Sequence, residues 1–386
     1  MNNMKFWMLA AILNLCGYLT VIGQNPAAPL TASGAEAGEQ FSIATLNVDG
    51  LPPKLLMLKL NPDGPGDAGT ARIGKYLTKK SYDLLMLQED FNFHNVLAVW
   101  LEDDYKLDEW SGDVGIDGHK IDFLHLQNHR YECDGLMGCW KNDLTVVPAP
   151  RTAWQQSFGK FSHANDEIIT KGFRRYTVTL RDGTQLTVYN MHMDASLDED
   201  EVEQKDDKDR EARLSQWLQL KEDIIQNMDS RPVIVVGDLN SLYGRDDVKV
   251  QFIDAFNTSG LGTCGDVWVE LENQGVYPEK GNTPTGETLD KILYINPATG
   301  TKIRPIAFSL DNSGYLYDGK PLGDHWPVAA TFQVLSGTTG IIDNDTRINH
   351  EKASFYNLNG VRVNQPRSGI YIERQGQKGK AKKVIK

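Results

Sequence analysis

FSIATLNVDG, residues 41–50, opens as an alternating apolar run and breaks off into Asn47, Asp49 and Gly50. Alternation over this length is the mark of a half-buried strand, and polar residues with a glycine mark its end. Phe41 to Leu46 therefore reads as a strand that delivers Asn47 and Asp49 to its C-terminal edge. The pattern recurs along the chain. LLMLQE (84–89) ends on Glu89, LTVYNMHMD (186–194) on His192 and Asp194, and VIVVGDLN (233–240) on Asp238 and Asn240. LDKI (289–292) places Asp290 ahead of an apolar run, and GDH (323–325) does the same with Asp324 and His325. Polar residues at the ends of neighbouring strands can converge on one mouth.

Working outward, further strands are predicted at Leu144 to Val147, Tyr176 to Leu180, Ile292 to Ile295 and Val328 to Val334. An amphipathic helix is predicted over Asp209 to Met228, where Leu214, Trp217, Leu218, Ile224 and Ile225 recur at helical spacing. A second is expected over Ala71 to Leu77, with Thr70 as its cap. Strands with intervening helices fit two packed sheets or one doubly wound sheet, and periodicity does not separate them. Tyr105 to His129, polar and acidic with scattered glycines, reads as a long surface excursion carrying a functional loop.

The 386 residues carry 52 acidic and 40 basic side chains, a formal charge of -12, which disfavours nucleic acid as a partner. A hydrophobic content of 40% is ample for a buried core and excludes disorder throughout. Lys5 followed by the apolar stretch Phe6 to Ile22 reads as a secretory signal ending near Gly23 or Gln24. The chain is thus expected to be secreted, periplasmic or at the cell surface. A membrane anchor is the competing reading, weakened by Asn14 in mid-stretch. Beyond the signal remain Cys133, Cys139 and Cys264. Cys133 and Cys139 could close a small loop, or all three could stay thiols.

Taken together and in order, these segments resemble the endonuclease/exonuclease/phosphatase superfamily, from Phe41 to about Phe332. The resemblance implies an α/β (α+β) fold, a four-layer sandwich of two mixed β-sheets flanked by helices, and so chooses between the two architectures. It implies Mg²⁺, one ion or two, with Mn²⁺ or Ca²⁺ able to substitute. Glu89 assisted by Asn47 would hold it, with Asp49 and Asp324 reaching the same ion or a second. His325 would be the general base and Asp290 its orienting partner. Asp238 and Asn240 would place the water and phosphate, and His192 would donate to a phosphoryl oxygen or the leaving group.

Within the superfamily, Asn47 to Leu51 looks like the abasic-site nucleases. The segment Asp166 to Phe173, with Lys171 and Gly172, followed by His192 and Asp194-Ala195, is similar to the neutral and bacterial sphingomyelinases. That similarity implies a lipid phosphodiester substrate, with Lys171 and Asp194 as substrate residues and transient membrane contact. Leu55 to Leu58 and Tyr315 to Tyr317 are the candidates for that contact. The competing activities are an extracellular DNase I-like endonuclease and a soluble sugar or inositol phosphate phosphatase. The expected organisation is a signal peptide (1–24), a linker (25–40), a catalytic domain (41–335), a second linker (336–350) and a small C-terminal β module or sorting tail (351–386). The last resembles the tail modules of exported Bacteroidetes proteins.

Overall fold

The computed structural model describes residues 37–55, 58–59, 61–114, 126–127, 130–131, 133–159, 166–167, 169–195, 207–243, 248–277, 289–335, 354–356, 362–363, 370–374 and 381–385. The chain divides into two compact units, residues 1–335 and 336–386. In the first unit, β1 (Ala37–Asn47), β2 (Leu84–Gln88), β3 (Tyr105–Leu107) and β4 (Met137–Lys141) enter one sheet. β5 (Thr145–Ala153), β6 (Gly172–Thr179), β7 (Gln185–His192), β8 (Val233–Asp238), β9 (Gly262–Asp266) and β10 (Asp290–Pro297) build a second. The chain then returns to the first with β11 (Lys302–Leu310) and β12 (Val328–Leu335). The orders are β11-β12-β1-β2-β4-β3 and β9-β10-β8-β7-β6-β5.

Each sheet is mixed and holds one parallel pair, β1 with β2 and β7 with β8, among antiparallel neighbours. Alternation decides what faces what. Phe41, Ile43, Leu84 and Met86 of the first sheet meet Val188, Ile234, Val236 and Ile292 of the second in one buried core. The opposite face of the first sheet, with Ala44, Leu46, Leu85 and Leu87, packs with α1 (Gly66–Lys80) and α2 (His94–Leu101). Trp217, Leu220 and Ile224 of α3 (Asp207–Asn227) cover Tyr189, Met191, Val233 and Val235 on the outside of the second. The result is the expected four-layer sandwich. Each fully buried apolar side chain of this kind contributes about 1.5–3 kcal/mol.

Several expectations need correction. α1 starts at Gly66, and Thr70 is buried in its second turn instead of capping it. The glycine- and proline-rich run NPDGPGDAG disguises a first turn whose Gly69 and Thr70 face inward. Ala37 to Gln40, expected to close the linker, pair with β12 as the start of β1. The excursion from Tyr105 begins in the core: Tyr105, Asp108 and Ser111 are buried, and Asp108 accepts from Tyr176 Oη at 2.8 Å and pairs with Arg174 at 2.8 Å. Its acidity hid a sheet edge whose charge is internally neutralised. Cys133, Cys139 and Cys264 are buried free thiols.

The second unit carries β13 (Ser354–Tyr356), β14 (Arg362–Val363), β15 (Ile370–Arg374) and β16 (Ala381–Ile385), an antiparallel sheet in the order β14-β13-β15-β16. The signal segment 1–24 and the linker 336–350 lie outside the described residues. Among the described residues no helix is long and apolar enough to cross a membrane.

Candidate active site

β1, β2, β7 and β8 all run toward the same edge of the sandwich, and their last residues build one site there. Register sets the alignment: Asn47 lies opposite Gln88, and His192, Asp238 and Asp290 form one row across β7, β8 and β10. Paired residues point to the same face. All of these share the face of the apolar core between the sheets, so the site is the polar end of that core. Beyond the strand ends, Asp49 (φ 53°), Glu89 (φ 55°) and Asn240 (φ 45°) adopt left-handed backbone. Non-glycine residues seldom do so, and such conformations gather at functional sites.

Asn47 ties the two sheets together. Its Nδ2 donates to Glu89 Oε1 at 2.9 Å and to Asp238 Oδ2 at 3.1 Å, while its Oδ1 accepts from Asp49 N at 3.0 Å. Asp238 Oδ2 also lies 3.3 Å from His192 Nε2 and 3.7 Å from His325 Nε2. His192 Nε2 is 3.9 Å from Glu89 Oε1, and its buried Nδ1 has no partner among the described residues. His325 Nδ1 donates to Asp290 Oδ2 at 2.7 Å. Asn240 turns its Nδ2 to Met193 O at 3.0 Å, and its backbone N–H donates to Asp238 Oδ1 at 3.1 Å.

The charges divide the site in two. On the His325 side, burial alone would lower the imidazole, but Asp290 and Asp238 hold it well above its usual range. Asp238 is raised by burial, yet His325 and His192 carry it below the usual carboxylate range. That side is compensated by the protein. On the other, burial, then Asp324 and Glu89, push Asp49 up to about 7. Like charges crowd there with little compensation, which is the setting a cation relieves.

The donor set fits a hard divalent ion, because Asp49, Glu89, Asp324 and Asn47 offer only oxygen ligands. Among the described residues, Asp238, Asp290 and His325 form a group of three whose donor atoms all lie within 4.8 Å of one another. Among the described residues, Asp49, Glu89 and Asp324 do not form such a group. In the compact group His325 is already engaged by Asp290.

Lys171 and Asp194 lie one layer deeper. Lys171 Nζ pairs with Asp166 at 2.5 Å and donates to Met193 O at 3.3 Å. Asp166 also accepts from Ala195 N at 2.8 Å. Asp194 is fully buried, accepting from Phe158 N and Gln216 Nε2, each at 2.7 Å. Asp166 and Lys171 are thus joined to residues 193–195 in one cluster behind His192 and Asn240. Of the predicted membrane contacts, Tyr315 is fully buried, while Leu316 and Tyr317, the first strand of a small hairpin, are 39% and 54% exposed. The side chains of Leu55 to Leu58 lie outside the described residues.

Sequence reading missed the polar layer beneath the site. Thr45 Oγ1 donates to Gln88 Oε1 at 3.1 Å, Gln88 Nε2 to Asn190 Oδ1 at 2.7 Å, and Asn190 Nδ2 to Leu87 O at 3.0 Å. Its signal was available: Gln88 follows Leu84 and Met86 at period two, and Asn190 falls between Val188 and His192.

Residues 44–299 match the Endonuclease/Exonuclease/phosphatase family. Sphingomyelinases of Mycobacterium bovis and Mycobacterium tuberculosis are 26% identical over 308 residues, covering 78% of this chain and 54% of theirs. The chain therefore spans about half the length of the curated relatives it matches. A crystal structure of D. rerio TDP2 complexed with single strand DNA product is similar in fold, with 18% sequence identity and a TM-score of 0.50 over 76% of this chain and 99% of that one.

Proposed function

The chain belongs to the endonuclease/exonuclease/phosphatase family, and on that premise we propose that it is an exported, Mg²⁺-dependent phosphodiesterase acting on a lipid such as sphingomyelin, in the manner of a phospholipase C. The observation that carries the lipid reading is the junction of Lys171 with the His192 strand. Lys171, paired to Asp166, reaches Met193 O, to which Asn240 also donates. Those are the segments in which this chain is similar to sphingomyelinases, and they sit together behind the phosphate end of the site. Identity to the mycobacterial sphingomyelinases supports the same reading.

Glu89, Asn47, Asp49 and Asp324 would hold the cation. When bound, Mg²⁺ would neutralise charge on the phosphoryl oxygens. The protein does the rest. Asp290 accepts from His325 Nδ1, which fixes the tautomer and leaves Nε2 facing the Asp238 side of the site as the base for water. Asp238 aligns both histidines, and His192 donates to a phosphoryl oxygen or the leaving group. Asn240 is turned by Met193 toward the same edge and helps to place the phosphate. Lys171, held by Asp166, supplies positive charge behind that edge, and buried Asp194 keeps the His192 segment in place. Leu316 and Tyr317, whose ring carries the Arg72 guanidinium at 3.7 Å, give a small exposed patch for transient contact with a lipid surface.

Phosphocholine release from sphingomyelin by Glu89→Ala and His325→Ala tests this directly. Both variants are expected to fold, by circular dichroism, and to lose at least about a hundredfold in kcat. Near wild-type turnover by either would refute the assignment.

A further inference from the structure

Tyr315 is a tyrosine without an explained hydroxyl. The side chain is fully buried, and its Oη has no hydrogen-bond partner among the described residues. A buried hydroxyl is almost always satisfied, so an occupant outside the protein is called for. The ring has no freedom to seek another partner. It is held edge-on to Tyr76 of α1 at 5.0 Å and to Trp326 at 6.3 Å between centroids, and its carbonyl accepts from Leu322 N at 3.3 Å.

The hydroxyl points to one place. Gly323 lies beside it, where a methyl group would come within 3.4 Å of Tyr315 Oη and 3.8 Å of Asp49 Cβ. The negative charges that act on the phenol are those of Asp324 and Asp49. Asn61 approaches Asp49 as well, its Nδ2 donating to the Asp49 carboxylate, so that carboxylate is already oriented by the protein. Tyr315 Oη is thus a fixed polar group beside Gly323, within the field of the carboxylates read above as cation ligands. Mg²⁺ retains several waters when protein carboxylates bind it, and those waters need partners. Groups of this kind, one step removed from the ion, typically change metal affinity 10–100-fold when removed.

We infer that Tyr315 is a positioning residue of the cation centre, its hydroxyl holding a water of the ion's hydration shell beside Asp49 and Asp324. The inference rests on the proposed reading of Glu89, Asp49 and Asp324 as ligands. Gly323 is part of the same device, because a side chain there would fill the space the water takes.

Binding of Mn²⁺ to the full chain without substrate, read by electron paramagnetic resonance of the free ion, tests it in wild type, Tyr315→Phe, Gly323→Ala and Glu89→Gln. Tyr315→Phe and Gly323→Ala are expected to raise the Mn²⁺ Kd about tenfold or more. The melting temperature of Tyr315→Phe in EDTA should be no lower than wild type, since no protein hydrogen bond is lost. A packing role alone would do the reverse, lowering that melting temperature and leaving Kd unchanged. Wild-type Kd in Tyr315→Phe and Gly323→Ala, with binding weakened in Glu89→Gln, would overturn the role of Tyr315 and leave the centre standing. Absence of Mn²⁺ binding by wild type, or wild-type Kd in Glu89→Gln, would overturn the centre and this inference with it.

Discussion

One amide, that of Asn47, contacts Glu89 after the first sheet's β2 and Asp238 of the second, and so sets the spacing of the two sides of the site. Asp290 has a comparable hold on His325, the proposed base. A carboxylate only accepts, whereas the asparagine of Asp290→Asn can present a donor to His325 Nδ1 and favour the wrong tautomer. That variant is expected to lose about 10²–10⁴ in kcat while KM changes by less than about threefold, measured with lipid varied across KM at saturating metal. A loss shared equally by KM would show that Asp290 serves binding instead. At this scale the sequence was legible wherever a polar residue closes an apolar run, as Asn47, His192 and Asp238 do. It was opaque at Tyr315, because an aromatic beside glycine reads the same whether its ring lies on the surface or, as here, under Gly323.

At the level of the element, the row of His192, Asp238 and Asp290 depends on how closely β7, β8 and β10 approach. Gly237 is where they are tightest: its φ is 145°, and a Cβ there would lie 2.0 Å from Met191 O of β7. The backbone cannot yield without moving His192 or Asp238, the residues just beyond. Gly237→Ala is expected to destabilise by about 2–5 kcal/mol, summing overpacking and an unfavourable φ. Urea unfolding measures it, and a change below about 0.5 kcal/mol would mean the strands adjust freely. Strands of this kind were readable from alternation, and α3 from its 3.6-residue period. The start of α1 and the strand β3 were not, since glycine, proline and acidic residues masked buried positions that only tertiary contacts reveal, such as Thr70 and Asp108.

Across the whole molecule, two sheets with equivalent parallel pairs place their strand ends at one edge, and the chain's return through β11 and β12 brings Asp324 and His325 to meet them. The net charge of -12 is spread unevenly. Asp103 and Asp104 share a cleft with Asp83, Asp143 and Arg181. Asp83 precedes β2, at the end of the strand opposite Glu89, so those acids lie away from the catalytic edge. On the proposed reading substrate choice turns on the Lys171 cluster and the exposed Leu316 and Tyr317, and it is best put to trial by assay of both substrates. The measurement is hydrolysis by the purified chain of sphingomyelin in mixed micelles, with plasmid DNA in parallel, each in Mg²⁺ and in EDTA. The expected result is phosphocholine release that requires Mg²⁺, with the plasmid left intact. Nicked plasmid with untouched sphingomyelin would contradict the lipid reading and make this active site that of a nuclease.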